Sequence, residues 1–300
     1  GYNEGIKGFR TITHRLPALY STFIKVNADV YYCRIREYRH MIVYLAAKKV
    51  NAKFILGLAS DLDILSIRKR WKHFYSSNVR DFWGFFNAVM GELVYPFLIR
   101  KADLVLVQHT GQQELLKRKK INSLVFHNVI DLKGKSDNEK NKSDELVYVG
   151  SLDKRKGFAD FYNLVTQTPD YRYKVIGRTR DKTGVILYDR LKSYPNVKLL
   201  GKLSHDETIR EIARSKALIS TSPMEGFPNI FIEAWSCGVP VLSLFVDPGG
   251  VISREKLGFV AGGDIEKLIY SVRNVTNNIE FRSMAIDYVH RNHEITESKI

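Results

Sequence analysis

The chain reads as an α/β protein of two domains, each built on a parallel sheet. From residue 145 onward, short runs rich in Val, Ile, Leu and Tyr alternate with stretches of helical period. Strict strand and helix alternation of this kind predicts a parallel sheet with helices on both faces. A weaker version of the pattern fills residues 28–129, and between the two lies "LKGKSDNEKNKSDE" (132–145), polar, charged and aperiodic as a linker is. The predicted domains are therefore 1–140 and 141–300. With 300 residues, 44% of them hydrophobic, the chain can build both cores.

In the first domain, "ADVYYCR" (28–34), "AKFILGLA" (52–59), "ADLVLVQ" (102–108) and "SLVFHNV" (123–129) read as strands, with helices near 39–50, 81–100 and 110–118. The aromatic-rich stretch 81–99 reads most simply as a buried helix, with a membrane-facing surface as the alternative. In the second domain the strands are "ELVYVGS" (145–151), "RYKVIG" (172–177), "VKLLGKL" (197–203), "ALISTS" (217–222) and "VPVLSLF" (239–245). Helices fall near 156–167, 184–193, 206–215, 228–236 and 264–277. "DPGG" (247–250) reads as a tight turn. Sheets of this class bind ligands at the carboxyl ends of their strands, so the residues that matter most are those just after each strand.

Composition narrows the functional classes. No run approaches the roughly 18 apolar residues of a membrane span, and the start of the chain lacks signal-peptide order, so a cytoplasmic protein is expected. Cys33 and Cys237 lie far apart inside apolar patterns and read as buried reduced thiols. Neither a metal site nor a disulfide framework is indicated. The net charge of +15 is concentrated: residues 1–144 hold 25 Lys and Arg against 13 Asp and Glu, residues 145–300 hold 22 against 19. Clusters such as "IRKRWKHFY" (67–75) and "LLKRKK" (115–120) mix cations with apolar residues, which suits anionic lipid headgroups or phosphate-bearing ligands. A solvated basic face would look the same. No nucleic-acid motif accompanies the charge, so no nucleic-acid partner is expected.

Chemistry concentrates in "SPMEGFPNIFIEAWSCGVPVLSL" (222–244). Glu225 sits in a Gly/Pro-rich turn directly after a strand, and Pro228 suits the first turn of the following helix, where its missing N–H costs nothing. The free amides and positive dipole end of that helix favour a phosphate, and Gly226 lets backbone approach a ligand. Glu233 follows eight positions after Glu225 on the helix, and carboxylates so placed can accept sugar hydroxyls. Dipole stabilisation and a solvated helix position are the simpler accounts of the two. A second helix start, "YVGSLDKRKGF" (148–158), places Lys156 and Gly157 where a phosphate could bind, without a P-loop or G-x-G-x-x-G pattern.

On these motifs, segment 145–262 resembles the C-terminal domain of a GT-B glycosyltransferase of the retaining family 4 type. The E-x7-E motif falls at Glu225 and Glu233, and G-x-L-x-x-x-K-G at Gly150, Leu152, Lys156 and Gly157. The resemblance implies two Rossmann-like domains facing a central cleft. The second would bind a nucleoside diphosphate sugar and the first a hydroxyl acceptor. It implies that Glu225 contacts the transferred sugar, Glu233 the ribose hydroxyls and Lys156 the diphosphate. Backbone around Gly226, Phe227, Pro228 and Asn229 would hold sugar and phosphate oxygens, with Gly201 and Lys202 near the base. No metal or other cofactor is expected, because Lys156 and the helix N-terminus can meet the charge of the departing diphosphate.

The chain departs from the family at three places. Ser151 stands where many relatives carry Arg, with Arg155 as a candidate substitute in the donor site. Ala59 and Ser60 occupy the neighbourhood of a frequent first-domain histidine, leaving Ser60, Asp61 and Arg34 as acceptor-side candidates; for Asp61 and Asp63, turn and cap duties are alternatives. The opening "GYNEGIKGFRTITHRLPALY" lacks the expected strand and Gly-rich loop, so the first domain is expected to begin about fifty residues late on a domain-size prior. His127 and Asn128 resemble the family's hinge segment, while His109 and His205 read as loop residues. The expected activity is sugar transfer with retention, onto a glycan or lipid-linked acceptor of the cell envelope, at the cytoplasmic face of an anionic membrane. The alternatives are a nucleotide-sugar epimerase or phosphorylase-like enzyme on the same fold, and a non-catalytic basic surface-binding protein.

Overall fold

The computed structural model describes residues 14–64, 82–130, 143–275 and 279–294. The basic cluster at 67–75, the linker stretch 131–142, the opening residues 1–13 and the final residues 295–300 lie outside the described residues. The chain divides into two compact units, Gly1–Phe126 and His127–Ile300. The division falls ahead of the polar linker because Ile130 is already part of the second unit: it is buried in that unit's core and bridges Glu294.

Among the described residues, the first unit holds four parallel strands in the order β1-β2-β3-β4, with β1 Val30–Arg34, β2 Lys53–Gly57, β3 Leu104–Val107 and β4 Ser123–Val125. Its helices are α1 (Leu16–Val26), α2 (His40–Lys49), α3 (Phe82–Lys101) and α4 (Thr110–Arg118). Phe54, Leu56, Val105 and Val107 pack with Val43 and Ala47 of α2, Tyr95 and Leu98 of α3, and Leu116 of α4. Strand β1 alternates exposed and buried residues, as a strand with one covered face does. The α3 helix is not wholly buried, because Leu93 and Phe97 project outward four residues apart. Helix α1 was not foreseen; its start carries no cap side chain, only a proline in the first turn.

Among the described residues, the second unit holds six parallel strands in the order β10-β9-β8-β5-β6-β7. They are β5 Leu146–Val149, β6 Tyr173–Ile176, β7 Val197–Gly201, β8 Ala217–Ser220, β9 Val241–Ser243 and β10 Gly258–Val260. Its helices are α5 (Phe158–Gln167), α6 (Lys182–Leu191), α7 (His205–Ala213), α8 (Asn229–Ser236), α9 (Val251–Arg254), α10 (Ile265–Asn274) and α11 (Ile279–His293). Both faces of the sheet are covered. Val147, Leu218 and Val241 point to a core with Ile212, Phe231, Trp235 and Val289, while Leu146, Ala217 and Leu242 point to one with Phe161, Leu164, Leu268 and Val272. Burial on both faces explains why these strands read as continuous apolar runs. The foreseen strands and helices of both units are present with boundaries moved by a few residues, so the α/β class with two parallel sheets holds.

Cys33 and Cys237 are free and buried, and burial, followed by the charge of Glu37, pushes the Cys33 thiol up to about 11. Among the described residues, no helix is long and apolar enough to cross a membrane.

At the amino edge of the second sheet, Lys174 is buried between Glu145 (3.0 Å) and Glu211 (2.8 Å), and Lys198 reaches the other Glu145 oxygen at 3.0 Å. Burial pushes the Glu145 carboxyl up, but hydrogen bonds from Lys198 and Lys174 and the Lys174 charge outweigh it and bring it down to about 2. A carboxyl depressed on folding contributes stability above its unfolded pKa and loses it as pH falls through the folded one. Unfolding free energy should therefore decline by about 2–3 kcal/mol between roughly pH 4.5 and pH 2 on account of this group. In Glu145→Gln, urea titrations across that window should show a flatter acid limb.

Candidate active site

The chain runs from β5 to β6 and β7 on one side of the second sheet, and β8 lies on the other side of β5. Connections leaving β5 and β8 at their carboxyl ends therefore diverge, which opens a crevice between them. The loop after β5 carries Gly150, Ser151, Arg155 and Lys156; the loop after β8 carries Glu225, Gly226, Phe227 and Pro228.

These two loops are clamped together. Gly157 has φ +66°, and a Cβ there would stand 1.9 Å from the Thr221 carbonyl oxygen, so both backbone conformation and space require glycine. The Thr221 hydroxyl donates to the Gly157 carbonyl at 2.8 Å. Asp153, almost fully buried, caps the short turn Lys154–Lys156 by accepting from the Lys156 amide. Burial pushes the Tyr148 hydroxyl well above the ordinary tyrosine range, so it stays protonated and donates to the Lys156 carbonyl at 3.2 Å.

The clamp delivers Lys156 to Glu225. The Lys156 ammonium pairs with Glu225 Oε1, and the Ser222 hydroxyl donates to the same oxygen at 2.7 Å. Both charged groups remain partly open to solvent. Beside them, α8 begins after Pro228 with no side-chain cap, so its first amides are available to an external acceptor. Pro228 is the residue before the helix, one position earlier than expected. The Phe227 ring turns into the core against Trp235.

The structure separates the two glutamates. Glu233, on α8, faces His205 Nδ1 at 3.9 Å rather than joining the Lys156 pair, and its side chain is mostly buried. His205 opens α7 just beyond Gly201 and Lys202 at the carboxyl end of β7, so Glu233 faces the start of that helix. Gly201 has φ +66° with open space around its Cβ position. Arg155 is exposed and pairs with Asp153 at 2.9 Å, while Ser151 lies half-buried. Among the described residues, no group of three or more His, Cys, Asp or Glu could hold a metal ion.

In the first unit, Ser60 and Asp63 form a capping box around the turn Asp61–Asp63, just after β2. Buried Asp63 accepts from the Ala59 and Ser60 amides at 2.8 and 3.1 Å, the cap role weighed for it. Asp61 Oδ1 accepts from Gln112 Nε2 at 2.8 Å and lies 3.0 Å from His109 Nε2. His109, expected as a loop residue, caps α4 and is buried. Nothing in the linear spacing of Asp61 and His109 signals that contact. Arg34 ends β1 on its exposed side, opposite Gly57.

Residues 130–290, more than half of the chain, match the family described as glycosyl transferases group 1. The chain belongs to that family. No curated protein matches this group 1 chain in sequence. Solved structures do match in fold. Pneumococcal O-GlcNAc transferase GtfA, solved with UDP and GlcNAc, is 12% identical with a TM-score of 0.68, over 94% of this chain and 58% of that one. S. aureus TarM, solved with UDP, α-GlcNAc-glycerol and fondaparinux, is 16% identical at 0.72, over 96% and 57%. Sucrose-phosphate synthase from Thermosynechococcus elongatus is 17% identical at 0.74, over 98% and 77%. These likenesses establish the GT-B class; this chain spans under three fifths of the length of GtfA and TarM.

The clamp predicts a specific sensitivity. Gly157→Ala should cost about 2–4 kcal/mol, combining left-handed strain and overpacking. Chemical denaturation of the purified variant would measure it.

Proposed function

We propose that this group 1 chain transfers a sugar from a nucleoside diphosphate sugar to a hydroxyl acceptor with retained anomeric configuration, as a family 4 type glycosyltransferase. The observation that carries the reading is the Lys156–Glu225 pair between two clamped loops, beside an uncapped helix start. GtfA and TarM, solved with UDP, share this fold.

In this reading the donor's diphosphate takes Lys156 and the first amides of α8, and a hydroxyl of the transferred sugar donates to Glu225. Glu233 accepts from the ribose hydroxyls, with Gly201 and Lys202 toward the base. Pairing with Lys156 and Ser222 holds Glu225 oriented before the donor arrives. As the bond from the anomeric carbon to phosphate breaks, negative charge grows on the diphosphate, where Lys156 and the helix dipole stabilise it. The acceptor oxygen forms the new bond from the same face, and its proton passes to the departing phosphate. We propose that no metal is needed, since the protein's own positive groups serve that charge.

We place the acceptor on the first unit, near Ser60, Asp61 and Arg34. A lipid-linked or anionic glycan of the cell envelope fits that unit's basic surplus, with the protein peripheral on the cytoplasmic face of the membrane. Support comes from an apolar patch with a cationic rim. Leu93 and Phe97 of α3 are exposed, the Phe97 ring meets Tyr44, and Lys101 and Lys48 lie over these two rings. Such a mixture suits an anionic lipid interface.

Lys156→Ala and Glu225→Ala should each lower kcat/KM by about 10²–10³-fold while leaving the unfolding midpoint near that of the parent. Transfer at parental rates in both variants, or an epimer or sugar 1-phosphate as product, would overturn the assignment. Activity should persist in excess EDTA. Sedimentation with anionic vesicles should fall when Leu93 and Phe97 are both replaced by Ser, and vesicle binding equal to the parent would remove the membrane role.

A further inference from the structure

Asn128 and His293 are 165 residues apart, yet both meet the loop that carries Glu225. The Asn128 amide group donates to the Phe227 carbonyl at 2.9 Å and to Asn229 Oδ1 at 2.8 Å. It thus holds the loop just before α8 and the first residue of the helix together. His293, the last residue of α11, is fully buried, and its Nδ1 lies 2.7 Å from the Asn128 carbonyl oxygen. A carbonyl only accepts, so Nδ1 carries the proton, and Nε2 is left to accept from the Tyr288 hydroxyl at 3.3 Å. The Phe227 ring packs against the His293 ring with centroids 5.0 Å apart. The Ile130 amide donates to the His293 carbonyl at 2.9 Å, closing the arrangement.

The loop is therefore held from two sides. Lys156 and Ser222 fix its carboxylate, while Asn128, backed by His293, fixes its backbone where α8 begins. Residues 127–130 open the second unit immediately after the division from the first. A shift of Asn128 away from the loop would lose both of its bonds to Phe227 and Asn229.

We propose that Asn128 and His293 are positioning residues for the Glu225–Asn229 loop, and that through them residues 127–130, where the second unit begins, are coupled to nucleoside diphosphate binding. The second half of this inference rests on the donor reading above; the first half does not. Coupling of this kind is reciprocal: the factor by which ordering of residues 127–130 raises nucleotide affinity is the factor by which bound nucleotide favours that ordering.

Hydrogen exchange on the full chain tests both halves. In Asn128→Ala, a substitution at a half-buried site that leaves the cores intact, amides in 223–231 should exchange about tenfold faster, with β5 and β6 unchanged. His293→Asn keeps an N–H near the position of Nδ1 and should stay within about twofold of the parent, whereas His293→Ala should follow Asn128→Ala. Unchanged loop exchange in Asn128→Ala would overturn the positioning role. With saturating UDP, GDP or ADP, whichever binds, exchange in 127–130 should slow in the parent and not in Asn128→Ala, and nucleotide affinity should fall about tenfold in that variant. A nucleotide that binds the parent without slowing 127–130 would overturn the coupling. If none of the three binds, the donor reading and the coupling fall together, while loop exchange without nucleotide still decides the positioning role.

Discussion

The reversal of strand order between β5 and β8 is the constraint on which the candidate site depends. Because successive connections run to opposite sides of β5, the loops after β5 and β8 part at the carboxyl edge of the sheet and leave room between them. Each loop then leads into a helix, so two helix starts face that room. Placing Lys156 against Glu225, 69 positions away, needs no long reach by either side chain. It needs the two loop backbones to approach closely, and Gly157 with Thr221 supplies that approach.

Rigidity below the loops comes from the two cores on either face of the second sheet. Trp235 and Phe231 anchor α8 in one, and Phe158 and Phe161 anchor α5 in the other. Both helices are thus fixed through large buried rings a turn or two from the site. The charge network of Lys174, Glu145, Glu211 and Lys198 lies at the opposite, amino edge. Lys174 and Glu145 at that edge are buried, whereas the Lys156–Glu225 pair at the carboxyl edge stays partly solvated.

Much of this was legible in the sequence, and the exceptions share a cause. Strands such as Leu146–Val149 and Ala217–Ser220 announce themselves because burial on both faces makes them continuous apolar runs. β10 escaped notice: three half-buried residues, Gly258–Val260, at the sheet edge carry too little pattern. Helix α11 mixes charged and apolar residues without a clear stripe, so the C-terminal stretch gave no firm helix signal. The motifs picked out Lys156, Glu225 and Glu233 as a group, but spacing alone could not show that Glu233 faces His205 while Glu225 takes Lys156. Asp61 with His109, and Asn128 with Phe227, are contacts across 48 and 99 positions that no local pattern encodes.

The most direct test of the central claim is saturation-transfer NMR of the purified chain with UDP, GDP and ADP and their common sugar conjugates, repeated on Glu233→Ala. The account predicts saturable binding of one nucleoside diphosphate, weakened in the variant by about tenfold or more through loss of a charged hydrogen-bond acceptor. Binding of none of these nucleotides, together with salt-sensitive binding to anionic vesicles or DNA, would contradict it and recast the chain as a surface-binding protein on a transferase fold.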